Sequence, residues 1–276
     1  KWILYFGLLL FLLEIQIEKN VMIWSMCILN FILLIPSLWM PFRRYGPDFT
    51  AYVNQAGQFV AGQTDYLRIS SVQGQCFYPA GHLWHYIPVY WLFMLTDKGE
   101  YIWKVCHFAI HSGINYYVAQ ITYSYFRDRP VRAQLVCFVL LCNEEVREFN
   151  QYLFNDSIMA LYIAICIYYV SANKPFHAAL FFTLGASIKA GVMLLLPSFL
   201  GWLQYIYGTR KLLACFALIV GFQVVIMMPL SFDPVAHLFG FKAGGTHWKD
   251  YLKYSKFLGG DKDRQYGATY ENTIYF

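Results

Sequence analysis

Residues 212–230 run for nineteen positions without a charged side chain, and Arg210 and Lys211 stand directly before them. As a helix rising about 1.5 Å per residue, such a run is close to the ~30 Å hydrocarbon core of a bilayer. Inside hydrocarbon the backbone must satisfy its own hydrogen bonds, so an isolated apolar run of this length is a helix. Residues 21–40 and 105–126 are long enough to read the same way, with Asn30 and Pro36 tolerable inside the first. Shorter apolar stretches occupy residues 2–13, 82–95, 133–142, 157–170, 176–188 and 190–207. The composition agrees, with 58% hydrophobic and 13% charged residues, where a soluble domain carries about 25% charged. Aromatic residues reach 20%, as expected of many spans with Tyr and Trp at their interfaces. The fold class expected is therefore an all-α polytopic membrane protein. Residues 2–13 read as a trimmed span or an interfacial helix, and residues 82–95 as an interfacial or re-entrant helix.

The charges orient the spans. The net charge of +5 is concentrated in short clusters, namely Arg127, Arg129 and Arg132, then Lys174, then Arg210 and Lys211. If residues 41–81 lie on the lumenal side, all three clusters fall in the cytosol. The stretch at 143–156, with Glu144, Glu145 and Glu148, falls with Lys189 in the lumen, as the positive-inside rule requires. This reading makes 1–276 one transmembrane domain, incomplete at both ends. Residues 41–104 are its first lumenal loop, and 231–276 a second large one. Basic clusters that set topology leave no sign of nucleic-acid binding. The seven cysteines contain no CxxC pair and no metal-ligand spacing. Cys76 and Cys142 would share a compartment, which leaves a disulfide between them open.

Three short clusters meet on the lumenal side. Tyr45-Gly46-Pro47-Asp48-Phe49-Thr50-Ala51-Tyr52 places a carboxylate just after a span. Gln75-Cys76-Phe77-Tyr78-Pro79-Ala80-Gly81-His82 is a rigid turn leading into an apolar helix. Tyr152-Leu153-Phe154-Asn155-Asp156-Ser157 offers Asn155 or Asp156 as a cap for the next helix, which is its plainest role. It also contains a glycosylation sequon too near the membrane for use. Lys189 lies between two apolar stretches. A lysine there snorkels to the interface or serves a function, and at the lumenal surface it suits a lipid-linked phosphate. Arg43, Arg44 and Arg68 are the other cations available on that side. The chain has no dinucleotide fingerprint, P-loop, HExxH or GxSxG. An enzyme of this build takes a substrate delivered through the membrane.

In order and spacing, these clusters resemble the dolichyl-phosphate-mannose-dependent α-1,3-mannosyltransferase family of the endoplasmic reticulum. The family's I-D-W-x-A-Y-M is similar to Pro47-Asp48-Phe49-Thr50-Ala51-Tyr52-Val53, and its G-P-L-V-Y-P-A-G to residues 74–81. Its R-L-F-N-D resembles Tyr152-Leu153-Phe154-Asn155-Asp156, and its S-V-K-M-N resembles Ser187-Ile188-Lys189-Ala190-Gly191. Tyr152 stands where the family has a basic residue, and Ala190-Gly191 replaces Met-Asn. The family's W-T-V-N-W is only faintly matched at Thr269-Tyr270-Glu271-Asn272-Thr273. The resemblance implies a GT-C-like multi-span helical bundle whose lumenal loops carry interfacial helices. It implies an inverting transfer of mannose from dolichyl-phosphate-mannose to Man5GlcNAc2 on dolichol pyrophosphate, without metal or other cofactor. Asp48 would then be the general base and Lys189 the phosphate contact, with Arg43, Arg44 and Arg68 as alternatives. Tyr78, Asn155 and Asp156 would shape the pocket. A mannosyltransferase acting on a glycolipid-anchor precursor is the neighbouring alternative. A transporter would place ionisable residues within the spans, where the sequence reading finds only Lys189.

Overall fold

The computed structural model describes residues 2–39, 47–71, 74–141 and 153–231. Helix α1 (Trp2–Leu12) turns into α2 (Lys19–Leu34), which a 3-10 turn at Ile35–Leu38 prolongs. Glu18 caps α2 by accepting the Val21 amide at 2.8 Å. Next come α3 (Pro47–Val60), a 3-10 turn at Tyr66–Arg68 and a two-strand ribbon. In that ribbon Ser70 pairs with Gln75 and Ser71 with Gly74, antiparallel. Then follow α4 (Gly81–Leu95), α5 (Gly99–Tyr125), α6 (Pro130–Leu141), α7 (Asp156–Ser171) and α8 (Pro175–Ile188). A 3-10 segment, Ala190–Leu195, leads into α9 (Leu196–Ser231).

The sequence reading expects two spans across residues 190–230, divided by the basic cluster. The backbone breaks at that boundary: Gly208 has φ 75° and ψ 175°, a conformation costly for any residue with a Cβ. Residues 41–81, read as a folded loop, contain the helix α3. Helix α4 has 15 residues with Pro88 inside, short of the ~20 that cross hydrocarbon unaided.

Among the described residues, four buried clusters hold the elements together. Leu10, Met22, Met26, Cys137, Phe138 and Leu141 join α1, α2 and α6. Phe49, Tyr52, Tyr86, Trp103, Leu153 and Ile188 join α3, α4 and the start of α5 to residues 153–158. Phe182, Ala186, Phe199, Leu203 and Cys215 join α7, α8 and α9. The smallest, with Ile69, Cys76, Leu83 and Leu230, ties the ribbon and α4 to the end of α9. Helix α5, at 27 residues, links the first two cores; Ala119 and Tyr123 lie in one and Trp103 in the other. Among the described residues, two stretches are long and apolar enough to cross a membrane, Lys19–Leu38 and Ala190–Leu230. Their outward faces are apolar too, with Trp24, Ile28 and Ile32 exposed on α2 and Leu213, Val224 and Val225 on α9. Contiguous apolar surface of this kind suits lipid rather than water.

Candidate functional site

Two antiparallel helices bring the first charges together. Asp156 opens α7 and Lys189 follows the last residue of α8. A carboxylate at a helix N-terminus and an ammonium at a C-terminus each complement the local dipole. Lys189 Nζ donates to Asp156 Oδ1 at 2.5 Å, with the side chains 38% and 39% exposed. A pair that open contributes little stability, so its position matters more than its strength. Lys189 is extended, with φ −145° and ψ 124°, where the chain leaves α8 for the 3-10 segment.

Asp48, in the first turn of α3, is within electrostatic reach of the same pair. Burial pushes its carboxyl above the ordinary carboxylate range; Lys189 opposes that rise and Asp156 reinforces it. Three of the residues picked out in the sequence thus converge, although they come from three helices.

Beneath them lies an aromatic and amide network. The hydroxyls of Tyr52 and Tyr78 are 3.2 Å apart, and Tyr52 also donates to Asn155 Oδ1 at 3.5 Å. Asn155 Nδ2 donates to His82 Nδ1 at 3.2 Å. His82 must therefore carry its proton on Nε2. Burial first, then His85, lowers its pKa to about 3 and keeps it neutral. The ring of Tyr78 stacks on His82 with centroids 4.5 Å apart. The expected cap role of Asn155 is corrected here. Asn155 occupies the N-cap position of α7 without a side-chain cap bond, because its amide is spent on Tyr52 and His82. It is fully buried, which also closes the sequon to modification in the folded protein.

The backbone that presents Asn155 is gripped from α5. His107 Nε2 donates to the Phe154 carbonyl at 3.2 Å, and His111 Nε2 bonds Ser157 Oγ at 2.9 Å. Leu153, just before, holds φ 52° while fully buried, a strained conformation for a bulky residue that only tight surroundings maintain. On the other flank, Gly81 meets Ser187 so closely that a Cβ would overlap its side chain and carbonyl. That approach sets the start of α4 beside the end of α8.

The sequence reading missed the α5 residues. Lys104, His107, His111 and Asn115 are all buried, and their spacing of three or four places them on one helix face. That spacing was the available signal. The expectation that Lys189 alone is ionisable within the spans is overturned. His107 and His111, within residues 105–126, overturn it and bond to residues 154 and 157; Lys104, just before that stretch, pairs with Glu100 at 2.6 Å.

Arg68 binds Asp65 at 2.9 Å, and none of the contacts above involves it. Arg43 and Arg44 lie outside the described residues, as do Tyr152, Cys142 and residues 269–273. Cys76 sits 3.3 Å from the Tyr66 hydroxyl. Among the described residues, no group of three or more His, Cys, Asp or Glu is placed to hold a metal ion.

A family model described as "ALG3 protein" matches residues 5–241. Among curated relatives, a Neurospora crassa protein named Dol-P-Man:Man(5)GlcNAc(2)-PP-Dol alpha-1,3-mannosyltransferase is 26% identical over 197 residues, covering 69% of this chain and 42% of its own length. A Dictyostelium discoideum protein with the same name, marked probable, is 25% identical over 221 residues, covering 69% and 49%. The Homo sapiens protein of that name is 23% identical over 189 residues, covering 67% and 42%. The chain thus spans a little under half the length of these relatives. No solved structure matches. With the family model covering most of its length, the chain belongs to the ALG3 protein family.

Proposed function

We propose that this chain carries the donor and acceptor site of a dolichyl-phosphate-mannose-dependent α-1,3-mannosyltransferase of the endoplasmic reticulum membrane, acting on Man5GlcNAc2-PP-dolichol. The protein is a multi-pass bundle of GT-C type with its site at the lumenal surface. The observation that carries the reading is the convergence of Asp48, Asp156 and Lys189 from three helices beside an exposed ion pair.

The chemistry follows from those groups. An acceptor hydroxyl attacks the anomeric carbon of the donor mannose, so a C–O bond forms as the bond to phosphate breaks. The hydroxyl's proton passes to Asp48, whose raised pKa suits a general base. Inversion results from the single in-line displacement. Dolichyl phosphate leaves as an anion, and Lys189, held by Asp156, supplies a positive charge where that anion develops. Tyr78, held from behind by the buried Tyr52–Asn155–His82 network, forms the floor against which the sugars rest. Arg68, tied to Asp65, is not assigned a part, and Arg43 and Arg44 are further cations for the phosphate.

Microsomes lacking the endogenous activity and carrying this protein, supplied with dolichyl-phosphate-mannose and Man5GlcNAc2 lipid, should yield Man6GlcNAc2 lipid. Asp48→Asn should lower transfer by at least 10²-fold, the scale of a lost general base. Full activity in that variant sinks the assignment of the base. No product from inserted wild-type protein sinks the acceptor.

A further inference from the structure

We propose a second lipid site at the opposite end of the bundle, which takes an anionic glycerophospholipid. It has two compartments. A polar pocket of about 330 Å³ is lined by Gln16, Lys19, Tyr123, Ser124, Arg127 and Pro130. An apolar cavity of about 480 Å³ lies between α1, α2 and α6, with Trp2, Phe6, Met22, Met26, Phe138 and Leu141 among its walls.

Neighbouring residues of the α1–α2 turn line the two compartments. Gln16 lines the first and Ile17 the second. Lys19 and Met22, three residues apart on α2, share a helix face and line one compartment each. The turn is fixed rather than loose. Buried Gln134 accepts the Ile17 amide at 3.0 Å and donates to the Ile15 carbonyl at 3.2 Å.

The polar pocket is built for an anion. Lys19 and Arg127 are exposed cations at helix ends. The N-termini of α2 and α6 open beside it, and such ends attract negative charge. Tyr123 is 7% exposed, and its hydroxyl has no hydrogen-bond partner among the described residues. A buried unsatisfied hydroxyl is costly, and Tyr123 is one of the residues lining the pocket. Glu18 is engaged on the Val21 amide, although its charge also reaches Lys19 and Tyr123, and neither it nor Glu14 nor Asp128 lines the pocket. Among the described residues lining the apolar cavity, Ser25 and the Trp2 indole N–H supply the polar atoms. Phosphate on Lys19, Arg127 and Tyr123, with acyl chain in the cavity, satisfies both compartments. The pocket sits at the start of α2 and the end of α5, whereas Asp48 follows α2 and Trp103 lies near the start of α5. Under the topology proposed above, the pocket therefore faces the cytosolic leaflet, away from the mannosyl donor and its polyprenyl phosphate product.

Purified full-length protein, stripped of lipid and exchanged into nanodiscs, tests the site by native mass spectrometry of retained lipid. Phosphatidylinositol should be retained over phosphatidylcholine on the order of tenfold, the scale of two interfacial cations. Lys19→Ala with Arg127→Ala should abolish that preference, while Lys19→Arg with Arg127→Lys retains it and controls for folding. Tyr123→Phe should weaken retention severalfold, and Met22→Trp, which fills the cavity, should reduce it likewise. Equal retention of the two phospholipids in the wild type, or a preference that survives the double alanine variant, overturns the proposal. So does polyprenyl phosphate displacing phosphatidylinositol from this site, which would make it a second substrate or product site.

Discussion

The Asp48 carboxyl is poised between opposing neighbours. Burial raises its pKa, Lys189 pulls it down and Asp156 pushes it up. A general base works only when ionised, so the acidic limb of kcat/KM should lie above the ordinary carboxylate pKa of about 4. Lys189→Gln removes the lowering charge and should move that limb to higher pH; Asp156→Asn removes the raising charge and should move it lower. A pH–rate series on the residual activity of each variant checks the directions, and a shared direction would show that the limb belongs to another group. Stability gives an independent sign. A carboxyl whose folded pKa is raised favours folding below its unfolded pKa, and that advantage is lost as pH rises through the folded value. At neutral pH the charged, half-buried Asp48 therefore opposes folding, and Asp48→Asn should melt no lower than the wild type, which separates lost chemistry from lost structure. Asp48, Asp156 and Lys189, the residues proposed for the site, can each be singled out in the sequence, because each stands in a short motif next to an apolar run. The burial of Asn155 was not. Cap preference is a local rule, and here a tertiary partnership with Tyr52 and His82 outweighs it.

At the scale of elements, α5 indexes the start of α7. His107 and His111 lie one turn apart and bond to residues 154 and 157, the positions flanking Asn155 and Asp156. Losing one such bond leaves Ser157 buried without this partner, at a cost of about 1–3 kcal/mol. It also frees the Asp156 end of the Lys189 pair to drift, and a misplacement of about 1 Å can cost ~10²-fold in rate. His111→Ala should therefore lower kcat more than it raises KM, and His111→Gln, whose amide nitrogen can take the place of Nε2, should recover part of the loss. Equal activity in both variants would reduce His111 to packing. Gly81 makes a parallel case, since Gly81→Ala forces α4 away from Ser187 and should destabilise by about 1–3 kcal/mol. The sequence displayed the helices but not their mutual register. Periodicity says which residues share a face of α5, while the choice of α7 as the facing partner depends on packing between segments nearly fifty residues apart.

Across the whole molecule, helix lengths bear on how the site meets its lipid. Helices α7 and α8 have 16 and 14 residues, or roughly 24 and 21 Å at 1.5 Å per residue, against a core of ~30 Å. Under the topology proposed above, with the ends near Lys174 at the cytosolic headgroups, their other ends would stop several ångströms short of the lumenal surface. A recessed Asp156–Lys189 pair is where a lipid-borne phosphate would be met without leaving the bilayer, and local thinning of the membrane over short helices works in the same direction. The same shortness made span counting from sequence unreliable at residues 133–142, even though the alternation of basic and acidic connections still gave one consistent parity. Acceptor sites for N-glycosylation, each carried on a flexible inserted loop, test that parity in microsomes. An insertion at the turn of residues 96–98, between α4 and α5, should be glycosylated. Insertions at residues 172–174 and at the Gly208 break should stay unmodified and remain open to protease added outside. Modification at residues 172–174 would turn α7 and α8 over, placing Asp156 and Lys189 on the cytosolic side and removing them from any lumenal chemistry; modification at Gly208 alone would instead mean that residues 190–207 do not cross, leaving the Asp48 site in place.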